Sequence, residues 1–177
     1  ATDMAMVLGG DVDTVTATTM TGALTVSYAN DNNLVATDTI TAGTGTSDTL
    51  TVTMAGAAAL TLAELANVTG FETIATGSNV AASIILNDAN ATSGATLTVD
   101  ATANTTNAMV INAAAETNGA IVINSGGGGD TLTMSQSSLG DIINAGAGTD
   151  GISVAVANLN SLDTINGGGG TDTLTLT

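Results

Sequence analysis

The stretch Ile165-Asn166-Gly167-Gly168-Gly169-Gly170-Thr171-Asp172-Thr173-Leu174 decides the fold, because the chain states it three times. Ile143-Asn144-Ala145-Gly146-Ala147-Gly148-Thr149-Asp150-Gly151-Ile152 lies 22 residues upstream, and Ile123-Asn124-Ser125-Gly126-Gly127-Gly128-Gly129-Asp130-Thr131-Leu132 a further 20. In each copy an apolar strand ends in Ile-Asn, a glycine turn follows, and an aspartate opens the next alternating segment. Connectors from Ser135 to Gly140 and from Asn158 to Leu162 then lead to a second acidic residue, Asp141 or Asp163, two positions before the next Ile. Two short strands and two turns in about 20 residues make one coil of a β-solenoid.

Working outward, Thr49-Leu50-Thr51-Val52-Thr53-Met54 and Thr96-Leu97-Thr98-Val99 put apolar side chains on one face and threonines on the other, the period of a strand. Strand-like runs from Ser83 to Leu86, Leu97 to Val99, Met109 to Ile111 and Ile121 to Ile123 follow at about half-coil spacing. Leu8-Gly9-Gly10-Asp11-Val12-Asp13 and Ala42-Gly43-Thr44-Gly45-Thr46-Ser47-Asp48 read as worn copies of the glycine turn, the second with one inserted residue. Leu60 to Leu65 suggests one short helical turn, a lateral excursion near residues 55–70. Asn112, Asn124, Asn144 and Asn166 all follow Ile and read as one column of stacked amides. The expected fold is all-β: a right-handed parallel β-solenoid of β-roll or β-helix type, with about eight coils of 20–22 residues. One continuous domain is expected, degenerate over 1–122 and regular over 123–177.

Composition narrows the chemistry. The chain has no Lys, Arg, His, Cys or Pro, one Tyr, one Phe and a formal charge of −16. Ser-His and Cys-His nucleophiles, Schiff bases, arginine phosphate clamps, thiolate or imidazole zinc sites and disulfides are therefore excluded. Only carboxylates remain, without the aromatic platforms or cations usual in sugar clefts, so no catalytic residue is assigned and the chain reads as a non-enzyme. Nucleic acid and anionic membranes, both recognised through Lys and Arg, are poor partners. No apolar run approaches the ~18 residues a membrane helix needs, so membrane insertion is not expected.

Alternate glycines let the backbone enter φ > 0 conformations and turn successive carbonyls toward a common point. An aspartate beyond them adds a carboxylate. The next coil, about 4.8 Å away, adds a second set, approaching the six or more oxygens that Ca²⁺ takes at roughly 2.3–2.6 Å. Mg²⁺ demands stricter geometry and soft metals find no ligands, so Ca²⁺ is the leading candidate. A plainer reading stays open, in which glycine permits tight corners and aspartate caps turns by accepting backbone N–H bonds. Glu64, Glu72 and Glu116 read as solvated surface residues. Asn67-Val68-Thr69, Asn90-Ala91-Thr92 and Asn104-Thr105-Thr106 fit the glycosylation sequon.

Gly167-Gly168-Gly169-Gly170-Thr171-Asp172-Thr173-Leu174-Thr175 matches every fixed position of GGxGxDxUx and so resembles the RTX family, whose nonapeptides form calcium-loaded parallel β-rolls. Ser125 and Ala145 replace the first glycine in the other two copies. The resemblance implies ligation by turn carbonyls and aspartate, carried over to Gly126, Gly128 and Asp130, to Gly146, Gly148 and Asp150, and to Gly168, Gly170 and Asp172, with Asp48 as a further candidate. Family coils carry the motif on both edges, whereas the second edge here keeps only Asp141 or Asp163. The chain is also similar to secreted RTX-containing surface-layer proteins of Gram-negative bacteria, through its Ala-Thr bias and the segments from Gly45 to Val52 and Asn67 to Ile74. That likeness implies an extracellular, self-assembling structural protein with Ca²⁺ as cofactor and itself as partner in a lattice or filament, and makes cell-surface polysaccharide a candidate partner. The alternative is an RTX-type adhesin stalk or spacer. Association is expected end to end, through the strand bearing Leu174 and Leu176 and the apolar run from Met4 to Leu8.

Overall fold

Alternating segments become strands because each can bury one row of side chains and solvate the other. In the computed structural model, which describes residues 2–56 and 58–177, they stack as a parallel β-solenoid. Ala1, within the expected 1–122 region, and Ala57, within the expected excursion, lie outside the described residues. The longest sheet has eight parallel strands: Met4–Leu8, Leu24–Tyr28, Thr49–Val52, Thr73–Thr76, Thr96–Asp100, Ala120–Asn124, Ile142–Asn144 and Thr164–Asn166. A six-stranded sheet contains Ala58–Leu60, Ala82–Ile85, Met109–Asn112, Thr131–Thr133, Gly151–Val154 and Thr173–Leu176. Thr14–Thr16, Thr39–Thr41 and Val68–Thr69 form a short third sheet at the N-terminal end.

Register sets the coil length. Met4 pairs with Leu24 and Val122 with Ile142, steps of 20 residues, and Ile142 pairs with Thr164, a step of 22. The four coils between them are longer, with Thr25 opposite Thr49, Thr49 opposite Thr73 and Thr98 opposite Val122 at 24, and Thr73 opposite Thr98 at 25. The expected 20–22 residues hold only near the ends, and the long sheet closes about seven coils rather than eight. One cause is visible between Thr49 and Thr73, where a single coil supplies a strand to each of the eight-, six- and three-stranded sheets. The Asn90 amide then donates to the carbonyls of Leu65 (2.8 Å) and Val68 (2.9 Å), and so covers the end of the three-stranded sheet.

The interior is one continuous apolar column, with Leu24, Leu50, Ile74, Leu97, Ile121 and Ile143 at most 1 % exposed in successive rungs. Both aromatic rings, Tyr28 and Phe71, lie within it. Part of the segment expected as an excursion packs on the core. Leu65 donates to the Thr61 carbonyl (3.1 Å) in one helix-like turn, and its side chain is fully buried. Asn124, Asn144 and Asn166 do face one another across the coils, with Asn144 Nδ2 donating to Asn124 Oδ1 at 2.9 Å. Asn112 is not in that column. It ends a strand of the six-stranded sheet opposite Thr133, while Asp100 occupies the place beside Asn124.

Candidate metal centre

The glycine turns lie along one edge of the solenoid, where the chain passes from the eight-stranded to the six-stranded sheet. Positive φ alternates along them: Gly126 (102°) and Gly128 (100°), Gly146 (93°) and Gly148 (151°), Gly168 (85°) and Gly170 (131°). Glycine is needed here for space as well. A methyl group on Gly146 would collide with the Gly126 carbonyl oxygen, and one on Gly168 with the Gly146 oxygen. The coils stack closely enough that Ala147 N donates to Gly126 O (2.9 Å) and Gly169 N to Gly146 O (2.7 Å). Those two carbonyls therefore run along the solenoid axis.

Each aspartate of this edge caps the coil before it. Asp130 Oδ1 accepts the N–H of Met109 (2.8 Å), Asp150 Oδ1 that of Asp130 (2.7 Å), and Asp172 Oδ1 that of Asp150 (3.1 Å). Turn capping thus accounts for one oxygen of each carboxylate. The other is unaccounted for at two positions, since Asp130 Oδ2 and Asp150 Oδ2 are buried without a protein donor, in side chains 1 % exposed. Ser125 lies close enough to Asp130 to favour its ionised form, but the single hydroxyl proton goes to the Ala145 carbonyl at 2.5 Å. At the matching place beside Asp150 stands Ala145, which has no proton to offer. Burial pushes both carboxyls above the ordinary range, and the next aspartate up the stack adds to the shift. Unit charges one coil apart, about 4.8 Å, repel by roughly 3 kcal/mol at an effective dielectric near 20.

The opposite edge is built from the same residue type with a different outcome. Asp141 accepts Ile121 N–H at Oδ1 (2.8 Å) and the Ser135 hydroxyl at Oδ2 (2.6 Å). Asp163 accepts Asp141 N–H at Oδ1 (2.9 Å) and Asn160 N–H at Oδ2 (2.7 Å). Asp48 belongs to this edge, because it precedes a strand of the eight-stranded sheet. Its oxygens accept the N–H groups of Leu24 (2.7 Å) and Gly43 (2.9 Å), while its own N–H goes to Glu72 Oε2 (2.7 Å). The turn before Asp48 is therefore no worn copy of the glycine edge, and the structure does not bring Asp48 to Asp130, Asp150 and Asp172.

The glutamates also depart from expectation. Glu116 is fully buried and accepts from Asn118, Gly119 and Ala91 N–H, Glu72 holds Asp48, and Glu64 caps Thr61 N–H at 2.6 Å. Two of the three sequons are buried, Asn90 at 2 % and Asn104 at 0 % exposure, leaving Asn67 exposed. A buried group that the sequence reading missed is Asp38, which accepts from Asp13 N, Val35 N and the Tyr28 hydroxyl (3.2 Å). Its signal was the lone tyrosine, since a buried phenol wants an acceptor.

The glycine edge suits a hard cation. It offers two buried anionic oxygens on consecutive coils, with no protein cation anywhere in the chain to meet them. Among the described residues no three acidic side chains converge on one point, so an ion there would have to draw its remaining ligands from main-chain carbonyls and water. Compared with known protein families, curated proteins and solved structures, the chain matches none.

Proposed function

We propose that this chain is a calcium-loaded structural solenoid, a secreted subunit of a surface layer or extracellular filament. The observation that carries the reading is the contrast between the two edges. Asp48, Asp141 and Asp163 spend both carboxylate oxygens on protein donors, whereas Asp130 and Asp150 each keep a buried oxygen with none. Calcium supplies the missing positive charge when bound. Asp130 and Asp150 hold it, Asp172 flanks the stack, and the turns at Gly126, Gly128, Gly146, Gly148, Gly168 and Gly170 shape the edge.

A structural role fits the way carboxylates are used, because nearly every buried one is committed to a main-chain N–H of a neighbouring coil. A concavity of about 330 Å³ is lined by alanines with Ser83 and Val110 and carries no titratable group. Calorimetric calcium titration tests the reading: the parent binds, and the D130N/D150N double variant does not. A parent that takes up no calcium at millimolar concentration overturns it. A chain that binds calcium yet sediments as a monomer throughout favours the adhesin stalk over the lattice subunit.

A further inference from the structure

The threonines on the outside of the solenoid take no part in the cation edge, and their placement is regular. On the eight-stranded sheet Thr25 pairs with Thr49, Thr49 with Thr73 and Thr73 with Thr98, so one position on four successive coils carries threonine. Two residues further along the strands, Ser27 pairs with Thr51 and Thr51 with Ala75. All of these side chains point away from the core, because each alternates with a buried neighbour in its strand.

The two rows form an ordered grid. Beneath them the buried column of Leu24, Leu50, Ile74 and Leu97 holds the strands in register. β-Branching leaves threonine few χ1 choices, so each hydroxyl and methyl keeps a set direction. On the three-stranded sheet Thr69 spends its hydroxyl on Thr41 (3.4 Å), whereas those of Thr25, Ser27, Thr49, Thr51, Thr73 and Thr98 bond to no described residue. The grid is also neutral in a chain of charge −16. Charge enters its rows only at Asp100, which is held by Thr102 through N–H (3.0 Å) and hydroxyl (2.6 Å).

Hydroxyls thus recur at roughly 4.8 Å across the coils and roughly 6.7 Å along the strands. Without an aromatic ring, a cation or a pocket, such a face has nothing to stack a sugar on or to clamp a phosphate. It does suit water. Each hydroxyl both donates and accepts, and the set spacing lets bound waters bridge neighbouring hydroxyls in a repeating layer. The coil repeat is close to the oxygen repeat along one axis of the ice lattice. We propose that the outer face of the eight-stranded sheet, from Thr25 to Thr98, is an ice-binding surface whose ligand is crystalline water. It rests on the register of the strands and not on the cation site, which lies on the glycine edge.

Ice-affinity partition and nanolitre osmometry of the full chain test this. T49K/T73K places two ammonium groups in the middle of the grid, and T133K places one on the outer face of the six-stranded sheet as control. The parent and T133K should enter growing ice, shape its crystals and separate its freezing from its melting point. T49K/T73K should lose all three effects while keeping the parent's circular dichroism, and T51K, a single change in the second row, gives the same reading if the double variant does not fold. A T49K/T73K or T51K protein that enters ice as the parent does overturns the proposal. So does a parent excluded from ice; if that parent instead pairs in sedimentation and T49K/T73K does not, the face belongs to a second copy of the chain.

Discussion

Replacing Asp150 by Asn separates the two jobs of that carboxylate. The amide oxygen can still accept Asp130 N–H, the bond that Asp150 Oδ1 makes at 2.7 Å, so the cap on the preceding coil survives. The charge and the orphaned Oδ2 do not. If calcium at about a hundred times its dissociation constant stabilises the parent, linkage makes that contribution about 2.7 kcal/mol. For a chain of this size each kcal/mol moves Tm by about 2–4 °C. D150N should therefore melt roughly 5–10 °C below the parent in excess calcium and together with it in chelator, where neither protein holds the ion. Circular dichroism melts of both proteins in both buffers measure this. Equal displacement in the two buffers would mean that Asp150 acts only as a turn cap, and the cation argument would fall. Asp11→Asn, at an exposed side chain, serves as the control and should change neither melt.

Acidity should act in opposite directions with and without calcium. Burial raises the folded-state carboxyls of Asp130, Asp141 and Asp150, so what they contribute to stability is fully present below the unfolded value near 3.9 and lost as pH rises through the raised ones. In chelator, protection of the coils that bear them should therefore grow as pH falls from 7 toward about 4, and in calcium it should fall as protons displace the ion; parallel trends in exchange experiments would refute the argument. Gly146→Ala meets both a φ of 93° and the Gly126 carbonyl, and should cost at least the ~1–2 kcal/mol of a left-handed alanine, whereas Gly169→Ala, facing open space, should be near neutral in the same melts. Asn144→Ala removes the link to Asn124 and should cost about 0.5–1.5 kcal/mol by denaturant titration.

What the chain determines by itself is its local vocabulary. The alternation of Thr and apolar residues, the Ile-Asn endings and the spaced glycines already specify short parallel strands and turns with alternating positive φ, because each follows from the steric preferences of neighbours in sequence, whereas the coil length they suggest, near 20 residues, holds only near the ends. The aspartates at 130, 150 and 172 could be picked out the same way. Their chemistry could not, since whether a carboxylate caps a turn or keeps an oxygen for an ion depends on donors one coil away, 20 to 25 positions along the chain. Asp48 and Asp130 both follow a stretch rich in glycine, yet stacking places Asp48 before a strand of the long sheet, where Leu24 and Gly43 satisfy it, and places Asp130 on the glycine edge, where nothing meets its second oxygen. Asn112 and Asn124 share the same Ile-Asn ending and lie on different sheets for the same reason. Only the register between coils distinguishes such pairs, and that register is set by the whole buried column, from Leu24 to Ile143, rather than by any single turn.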